Sequence, residues 1–237
     1  MSKAVILAAG RGTRMKELTA DLPKPMLLAA GRPILERLLE RLMKAGYQEA
    51  LIVTGYRAEA IEDHFRGYRF PLSFVRQSPI DGTARAALLA REFVGSDAFL
   101  LTFGDILADL PSYREILDRL RQQPGAEAIL GVKEVDDPYQ GAAVYANPQG
   151  RVTRIVEKPP RGESATHWNS AGIYAFRQSI FEELGRVPKS PRGEYEITSA
   201  VEHLIDGGKL VHLFPIIGQW RDIGRPEDLA AIQELPA

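Results

Sequence analysis

The sequence predicts an α/β fold with a mostly parallel central sheet. Short apolar runs alternate with amphipathic stretches of helical period through about the first 110 residues. The run Ala4–Ala9 is continuously apolar and ends in glycine, which is typical of a parallel strand buried on both faces. Because βαβ connections are right-handed crossovers, such a series forms an open sheet that binds ligands beyond the carboxyl ends of its strands.

The elements of the first half follow one another in regular alternation. A long polar loop follows the first strand, and a helix then opens after Pro33, whose fixed φ suits the first helical turn. Its apolar side chains fall on one stripe from Ile34 to Met43. The later elements of this half are the predicted strands Ala50–Thr54, Leu72–Val75 and Ala98–Phe103 and the predicted helices Ala58–Phe65 and Thr83–Phe93.

From about residue 111 the pattern becomes that of a mixed sheet. No linker rich in Pro, Gly or Ser separates the two halves, so residues 1–237 are predicted to form one domain. We expect a Rossmann-like three-layer fold over about 1–110, extended by a mixed-sheet lobe over about 111–237. The predicted helices of this lobe are Tyr113–Arg121, Glu196–Ile205 and Pro226–Glu234, and the predicted strands are Ala128–Val132, Ala142–Tyr145, Val152–Val156, Gly172–Phe176 and Leu210–Phe214.

Composition excludes several classes of function. The 30 Lys and Arg residues nearly balance the 31 Asp and Glu residues, so the chain lacks the basic character of a nucleic-acid-binding protein. The absence of cysteine excludes thiol nucleophiles, thiolate metal sites and disulfides. No apolar stretch approaches the roughly 18 residues of a membrane span. We therefore expect a cytoplasmic protein with no nucleic-acid or membrane partner, and a homo-oligomer is compatible with these values.

The loop after the first strand has features of a phosphate-binding loop. It reads Leu7-Ala8-Ala9-Gly10-Arg11-Gly12-Thr13-Arg14, and neither a P-loop lysine nor the third glycine of a dinucleotide fingerprint follows. Two glycines let backbone N–H groups approach a phosphate, and Arg14 adds a fork of charged donors. The alternative is a plain turn between strand and loop.

Lys24 stands between Pro23 and Pro25, which fix the backbone on both sides of it. Such stiffening suits a lysine that must present its ammonium group at one place with little loss of entropy. The alternative is a rigid surface turn. The position of Lys24 shortly after the glycine loop favours the first interpretation.

Several motifs, in order along nearly the entire chain, resemble those of sugar-1-phosphate nucleotidylyltransferases. The pattern around Gln77 is most similar to that of glucose-1-phosphate thymidylyltransferases. The motifs are Gly12-Thr13-Arg14, Pro23-Lys24-Pro25, Gly31-Arg32-Pro33-Ile34-Leu35-Glu36, Gln77 with Asp81-Gly82-Thr83-Ala84, Phe103-Gly104-Asp105, Glu157-Lys158-Pro159, Asn169-Ser170-Ala171-Gly172-Ile173-Tyr174 and Trp220-Arg221-Asp222-Ile223-Gly224.

This resemblance implies that a sugar 1-phosphate attacks the α-phosphorus of a nucleoside triphosphate and releases pyrophosphate. Two like charges about 5 Å apart repel by roughly 3 kcal/mol at an effective dielectric constant near 20, so the site needs cations. The resemblance assigns the β- and γ-phosphates to Arg14, and the α-phosphate and sugar phosphate to Lys24. It assigns Mg²⁺ to Asp105 and Asp222, which with triphosphate oxygens and water would complete an octahedral shell.

The remaining site residues are also implied by the resemblance, and alternatives stay open. Asp105 alone could be a turn residue, Asp222 a partner of Arg221 or Arg225, and Glu157-Lys158 an exposed ion pair. Glu194 is a lesser candidate for a sugar contact. The predicted nucleotide-binding residues are Leu7, Ala9, Gly10, Gly12, Thr13, Gln77, Gly82 and Thr83, and the predicted sugar-phosphate-binding residues are Gly141, Glu157, Lys158 and Asn169.

Gln77 favours dTTP or UTP, because one amide can meet a pyrimidine edge, and glucose 1-phosphate is the expected sugar. Two other functions remain open: a cytidylyltransferase for a phosphoalcohol and a non-catalytic regulatory subunit. The chain departs from the family pattern at Glu17, where proline is usual, and at Gln140, which separates Tyr139 from Gly141. It ends soon after its last predicted helix, so we expect a monofunctional enzyme without a β-helix acyltransferase domain.

Overall fold

A computed structural model describes residues 1–231 of the chain. The helices are α1 (Ile34–Lys44), α2 (Ala58–His64), α3 (Thr83–Leu88), α4 (Arg91–Val94), α5 (Leu110–Gln122), α6 (Ile180–Arg186), α7 (Ile197–Asp206) and α8 (Pro226–Ala231). The strands are β1 (Lys3–Leu7), β2 (Leu28–Ala29), β3 (Arg32–Pro33), β4 (Glu49–Thr54), β5 (Leu72–Arg76), β6 (Phe99–Phe103), β7 (Ile106–Ala108), β8 (Ala126–Glu134), β9 (Ala142–Ala146), β10 (Val152–Glu157), β11 (Trp168–Phe176), β12 (Leu210–Pro215) and β13 (Trp220–Asp222). Short 3₁₀ helices occupy Thr13–Thr19, Lys24–Met26 and Pro138–Gln140.

One nine-stranded sheet runs through both halves of the chain, with β10-β9-β11-β6-β1-β4-β5 as its main path. Strands β6, β1, β4 and β5 are parallel neighbours, as the βαβ alternation predicted. Strand β11 pairs antiparallel with β6 and so joins the second half to the first. Strand β8 pairs antiparallel with β11 and parallel with β12. The prediction of a mostly parallel sheet with a mixed extension is confirmed.

The apolar run of β1 is explained by burial on both faces of this sheet. Ile6 belongs to a core cluster that includes Leu38 of α1 and Ile116 of α5. Val5 belongs to a second cluster that includes Val201 of α7. Successive side chains of a strand point to opposite faces, so a central strand covered by helices on both sides is apolar throughout. This three-layer packing fixes the position of the loop that follows β1.

The structure corrects one helix prediction and adds one helix. The predicted helix Thr83–Phe93 is two helices, because the backbone N–H groups of Leu89 and Ala90 bond three residues back and tighten the end of α3. Helix α6 was not predicted. Residues 232–234 of the predicted last helix lie outside the described part. No helix in residues 1–231 is long and apolar enough to cross a bilayer.

Candidate active site

A cleft of about 1400 Å³ opens at the carboxyl ends of the parallel strands and extends over the mixed part of the sheet. Its volume exceeds that of most single-ligand pockets, so it has room for two substrates. All predicted site residues line it, although they come from positions throughout the chain. They are Leu7, Ala9, Gly10, Gly12, Thr13, Arg14, Lys24, Gln77, Gly82, Thr83, Asp105, Gly141, Glu157, Lys158, Asn169 and Asp222, and Glu194 joins them.

Gly12 makes room for Lys24 in the loop after β1. Its φ of 63° lies in the left-handed region, and a Cβ atom there would lie 2.8 Å from the Cβ of Lys24. The hydroxyl of Thr19 donates to the Gly12 carbonyl over 3.1 Å and ties the far end of the loop back to its start. The glycine loop and the Pro-Lys-Pro segment therefore form one packed unit.

Lys24, Asp105 and Asp222 form a cluster that we name the metal end of the cleft, after the ligand that the sequence analysis expects there. The Lys24 side chain is only 8% exposed, and its Nζ forms a short ion pair with Asp105 and lies 3.9 Å from Oδ1 of Asp222. A buried ammonium group needs such partners because desolvation disfavours its charge. Among the described side chains, Asp222 pairs with Lys24 and not with Arg221 or Arg225.

Two strands bring these carboxylates together. Asp105 follows β6, and Asp222 is the last residue of β13, which pairs antiparallel with β7. Asp222 therefore ends a short strand that was not among the predicted ones. The N–H of Ile223 donates to the Asp105 carbonyl over 3.0 Å and fixes the two positions relative to each other.

The electrostatics of the metal end suit a divalent cation. Burial and the nearby Asp105 carboxylate raise the pKa of Asp222 to about 6, although the charges of Lys24 and Arg14 oppose this rise. Residues 1–231 contain no group of three acidic, His or Cys side chains able to hold a metal by itself. Two neighbouring carboxylates fit a hard cation that takes its other oxygens from substrate and water.

Gln77 directly follows β5, and its buried side chain lines the cleft. Its Nε2 donates to the Gly82 carbonyl over 2.9 Å and to Oδ1 of Asp81 over 3.3 Å. Both amide hydrogens are therefore in use, and Oε1 remains as an acceptor. A Cβ atom on Gly82 would lie 2.3 Å from the Tyr195 carbonyl oxygen, so only glycine fits there. That close contact with Tyr195 explains why position 82 requires glycine.

Glu157, Arg192 and Glu196 form a second cluster that we name the sugar end, after the ligand that the sequence analysis expects at Glu157. Nη1 of Arg192 lies 3.4 Å from Oε1 of Glu157 and 3.1 Å from Oε1 of Glu196. The hydroxyl of Thr198 donates to the other Glu157 oxygen over 3.2 Å. Burial and the charge of Glu196 raise the pKa of Glu157. Arg192, Glu196 and Thr198 were not predicted from the sequence, although the candidate Glu194 lies close to them along the chain.

Lys158, Gly141 and Asn169 lie together beside Glu157. The N–H of Lys158 donates to the Gly141 carbonyl over 2.7 Å, and a Cβ atom on Gly141 would lie 2.2 Å from Oδ1 of Asn169. Gln140, where the chain departs from the family pattern, also lines the cleft and donates to the Tyr139 hydroxyl over 2.6 Å. The extra residue therefore leaves Gly141 in the cleft.

Comparisons with known proteins agree with this arrangement. The family profile described as "Nucleotidyl transferase" matches residues 3–236. The chain is 34% identical over 232 residues to the UTP–glucose-1-phosphate uridylyltransferase AglF of Haloferax volcanii, which covers 95% of this chain and 93% of that relative. It is 36% identical over 226 residues to the bifunctional protein GlmU of Methanocaldococcus jannaschii. The chain spans about half the length of its GlmU relatives, 52% in that case.

Solved structures share the fold at lower sequence identity. A UDP-glucose pyrophosphorylase complexed with UDP-glucose superposes with a TM-score of 0.88 at 22% identity, covering 98% of this chain and 97% of that one. A UDP-glucose pyrophosphorylase from Acinetobacter baumannii gives a TM-score of 0.82 at 23% identity, with 98% and 92% covered. These likenesses establish the Rossmann-like architecture.

Proposed function

Since the chain belongs to the nucleotidyl transferase family, we propose that it transfers a nucleoside monophosphate from a nucleoside triphosphate to a sugar 1-phosphate. The products are pyrophosphate and a nucleoside-diphosphate sugar. The observation that carries this proposal is the convergence, in one cleft, of a buried lysine held between two carboxylates with separate polar clusters for a base and a sugar.

Electrostatics explains why this convergence suits the reaction. A sugar phosphate must approach a triphosphate, and fixed cations lower the cost of bringing the two anions together. Lys24 would hold the α-phosphate and the incoming phosphate, and Arg14 the outer phosphates. Asp105 and Asp222 would hold Mg²⁺, which when bound neutralises part of the phosphate charge. The side chains of the cleft would then hold the two substrates in the orientation in which they react.

The amide of Gln77 supports a uracil or thymine base. Its remaining acceptor, Oε1, can take a hydrogen bond from N3–H of uracil or thymine, whereas N3 of cytosine is itself an acceptor. UTP and dTTP are therefore the proposed nucleotides. This orientation of the amide disfavours a cytidylyltransferase.

The sugar end supports a hexose 1-phosphate. Carboxylate oxygens of Glu157 can accept hydrogen bonds from vicinal hydroxyls, and the ammonium group of Lys158 can pair with the phosphate. Gly141 and Asn169 would complete this subsite. Glucose 1-phosphate is the proposed sugar because the relative AglF is named for it.

The retained charges at the metal end disfavour a non-catalytic regulatory subunit, which would have no use for Arg14, Lys24, Asp105 and Asp222 together. We further propose that residues 1–237 act as one domain, with a nucleotide-binding half and a sugar-binding half. A cytoplasmic location suits the biosynthetic relatives that the chain resembles.

Pyrophosphate release tests the proposal directly. UTP, dTTP, CTP, ATP and GTP are each combined with glucose 1-phosphate, N-acetylglucosamine 1-phosphate or phosphocholine in the presence of MgCl₂. We expect the highest rates with UTP or dTTP and a sugar 1-phosphate. Turnover with CTP and phosphocholine would favour the cytidylyltransferase. If no pair reacts while nucleotide sugars still bind, the regulatory function replaces the enzymatic one.

A further inference from the structure

Arg11 is a cation of the cleft that the sequence analysis left without a role. It stands between Gly10 and Gly12 in the loop after β1, its side chain is exposed, and it lines the cleft. Among the described side chains, no carboxylate forms an ion pair with it. A guanidinium group without a carboxylate partner, on a loop whose backbone suits phosphate, is well placed to bind an anionic ligand.

Tyr56 gives Arg11 a fixed platform. The guanidinium carbon of Arg11 lies 5.7 Å from the centroid of the Tyr56 ring, within the range of a cation–π contact. The N–H of Tyr56 donates to the Ala9 carbonyl over 3.0 Å, and its hydroxyl forms a short hydrogen bond with the Ala20 carbonyl. One aromatic residue thus contacts the beginning and the end of the loop.

Arg57 adds a second tie next to this platform. Its Nη2 lies 2.9 Å from Oδ1 of Asp21, and its guanidinium carbon lies 5.9 Å from the same Tyr56 ring. Two arginines therefore contact one ring, and of the two only Arg57 has a carboxylate partner among the described residues. Together with the bonds of Tyr56, this ion pair ties both ends of the loop to the connection between β4 and α2.

The cations of the loop face two different parts of the cleft. Arg14 lies beside Gly224, where a Cβ atom would be 3.5 Å from Nη1, and its charge acts on Asp222. Lys24 contacts Asp105 and Asp222 directly. Arg11 instead lies against Tyr56, in the connection between β4 and α2. The loop thus presents one guanidinium group at the metal end and another away from it.

We propose that Arg11 binds the outer phosphates of the nucleoside triphosphate, those that leave as pyrophosphate, and that Tyr56 is its positioning residue. This proposal rests on the proposed function, in which the α-phosphate lies at Lys24. The outer phosphates then extend from Lys24 along the glycine loop, where Arg11 meets them. Arg14 would neutralise the same phosphates from the side of the metal end.

The reverse reaction separates this role from general damage to the site. In Arg11→Ala the KM for pyrophosphate should rise about tenfold, as for the loss of one charge-assisted contact. The KM for the nucleoside-diphosphate sugar should stay within twofold, since that substrate lacks the leaving phosphates. Arg11→Lys should recover part of the loss. Arg66→Ala is the matched control, because Arg66 is exposed, pairs with Asp63 and does not line the cleft.

Tyr56 variants test the positioning role. Tyr56→Leu removes the ring and should raise the KM for pyrophosphate severalfold, whereas Tyr56→Phe keeps the ring and should stay within twofold. If Tyr56 acts through Arg11, the double variant with Arg11→Ala should bind pyrophosphate no worse than Arg11→Ala alone. An additive loss in the double variant would overturn the role of Tyr56.

Calorimetric titration with pyrophosphate in MgCl₂ tests Arg11 without turnover. The wild type should bind, and Arg11→Ala should bind about tenfold more weakly with an unchanged melting temperature. Equal affinities, or no binding by the wild type, would overturn the proposal. If the wild type binds pyrophosphate and Arg11→Ala does not, but no substrate pair reacts, the proposed function fails while the assignment of Arg11 stands.

Discussion

Each end of the cleft holds one cation between two carboxylates. The metal end buries its cation, whereas the sugar end buries one of its carboxylates. At the metal end the lysine is 8% exposed, and the two carboxylates, Asp105 and Asp222, are 25% and 42% exposed. At the sugar end Arg192 is 39% exposed, whereas Glu157 and Glu196 are 27% and 6% exposed. The metal end therefore fixes its cation and offers carboxylate oxygens to a ligand. The sugar end buries one carboxylate, Glu196, and keeps its cation on a loop.

This difference has a functional consequence. Accessible carboxylates suit a metal ion, and the buried ammonium group beside them suits phosphates, on which charge shifts during the reaction. Carboxylates held by a surface arginine suit the neutral sugar ring, because its hydroxyls need hydrogen-bond acceptors in fixed positions and no compensation of charge. Changes at the metal end should therefore reduce kcat, and changes at the sugar end should raise the KM for one substrate.

The largest effect is expected for Asp105→Asn. The amide keeps the volume of the side chain but loses the charge that would hold the metal, so kcat should fall about 10³-fold. Pyrophosphate release and the melting temperature are measured together. Asp118→Asn is the control, because Asp118 is an exposed partner of Arg121 outside the cleft. Retained activity in Asp105→Asn would remove this residue from the metal end's function.

Lys24→Ala should reduce kcat about 10²-fold and change the KM for the nucleotide only a few fold. Its ammonium group is expected to act mainly on charge that develops at the α-phosphate. The substitution also leaves Asp105 and Asp222 without their shared cation, so the melting temperature should be measured alongside. A normal kcat with a raised nucleotide KM would mean that Lys24 contributes to binding alone.

Arg192→Ala sharpens the comparison at the other end. Without this guanidinium group, Glu157 and Glu196 repel each other and Glu157 loses its fixed orientation, so the KM for the sugar 1-phosphate should rise about fivefold. The KM for the nucleotide should stay unchanged. Arg186→Ala, at an exposed arginine paired with Glu183, is the control. A fall in kcat without a change in sugar KM would contradict the division between the two ends.

The smallest effect is a pH dependence of stability at Asp222. Its pKa is about 6 in the folded protein, above the ordinary value of an aspartate, so its ionised form destabilises the fold. That cost is present above pH 6 and shrinks as the pH falls toward 4. Asp222→Asn should therefore melt about 2 °C above the metal-free wild type at pH 8. This difference in melting temperature should shrink at pH 5. A difference that grows toward low pH would contradict a raised pKa of Asp222.

The parallel half of the fold and the location of the site followed from local patterns in the sequence. The continuously apolar run of β1 predicts a central strand. Ligands of such sheets bind beyond the carboxyl ends of the strands, and Asp105 follows one of these ends. The motif resemblance supplied the residues from Gly141 onward. All site residues predicted from these two sources line the cleft.

Other parts of the site depend on contacts that the sequence does not display. The pairing of β7 with β13 joins two three-residue strands, too short to show a period, and it decides where Asp222 lies. The Arg192 bridge and the platform of Tyr56 arise from loops that meet only in the folded chain. The break between α3 and α4 depends on backbone hydrogen bonds rather than on residue type.

The most direct test of the account is the number of Mn²⁺ ions bound per chain, counted by electron paramagnetic resonance with a non-hydrolysable UTP analogue present. Mn²⁺ accepts the same oxygen ligands as Mg²⁺. The account predicts Mn²⁺ binding by the wild type and its loss or strong weakening in both Asp105→Asn and Asp222→Asn, with Asp118→Asn unchanged. Undiminished Mn²⁺ binding in both variants would contradict the assignment of these carboxylates.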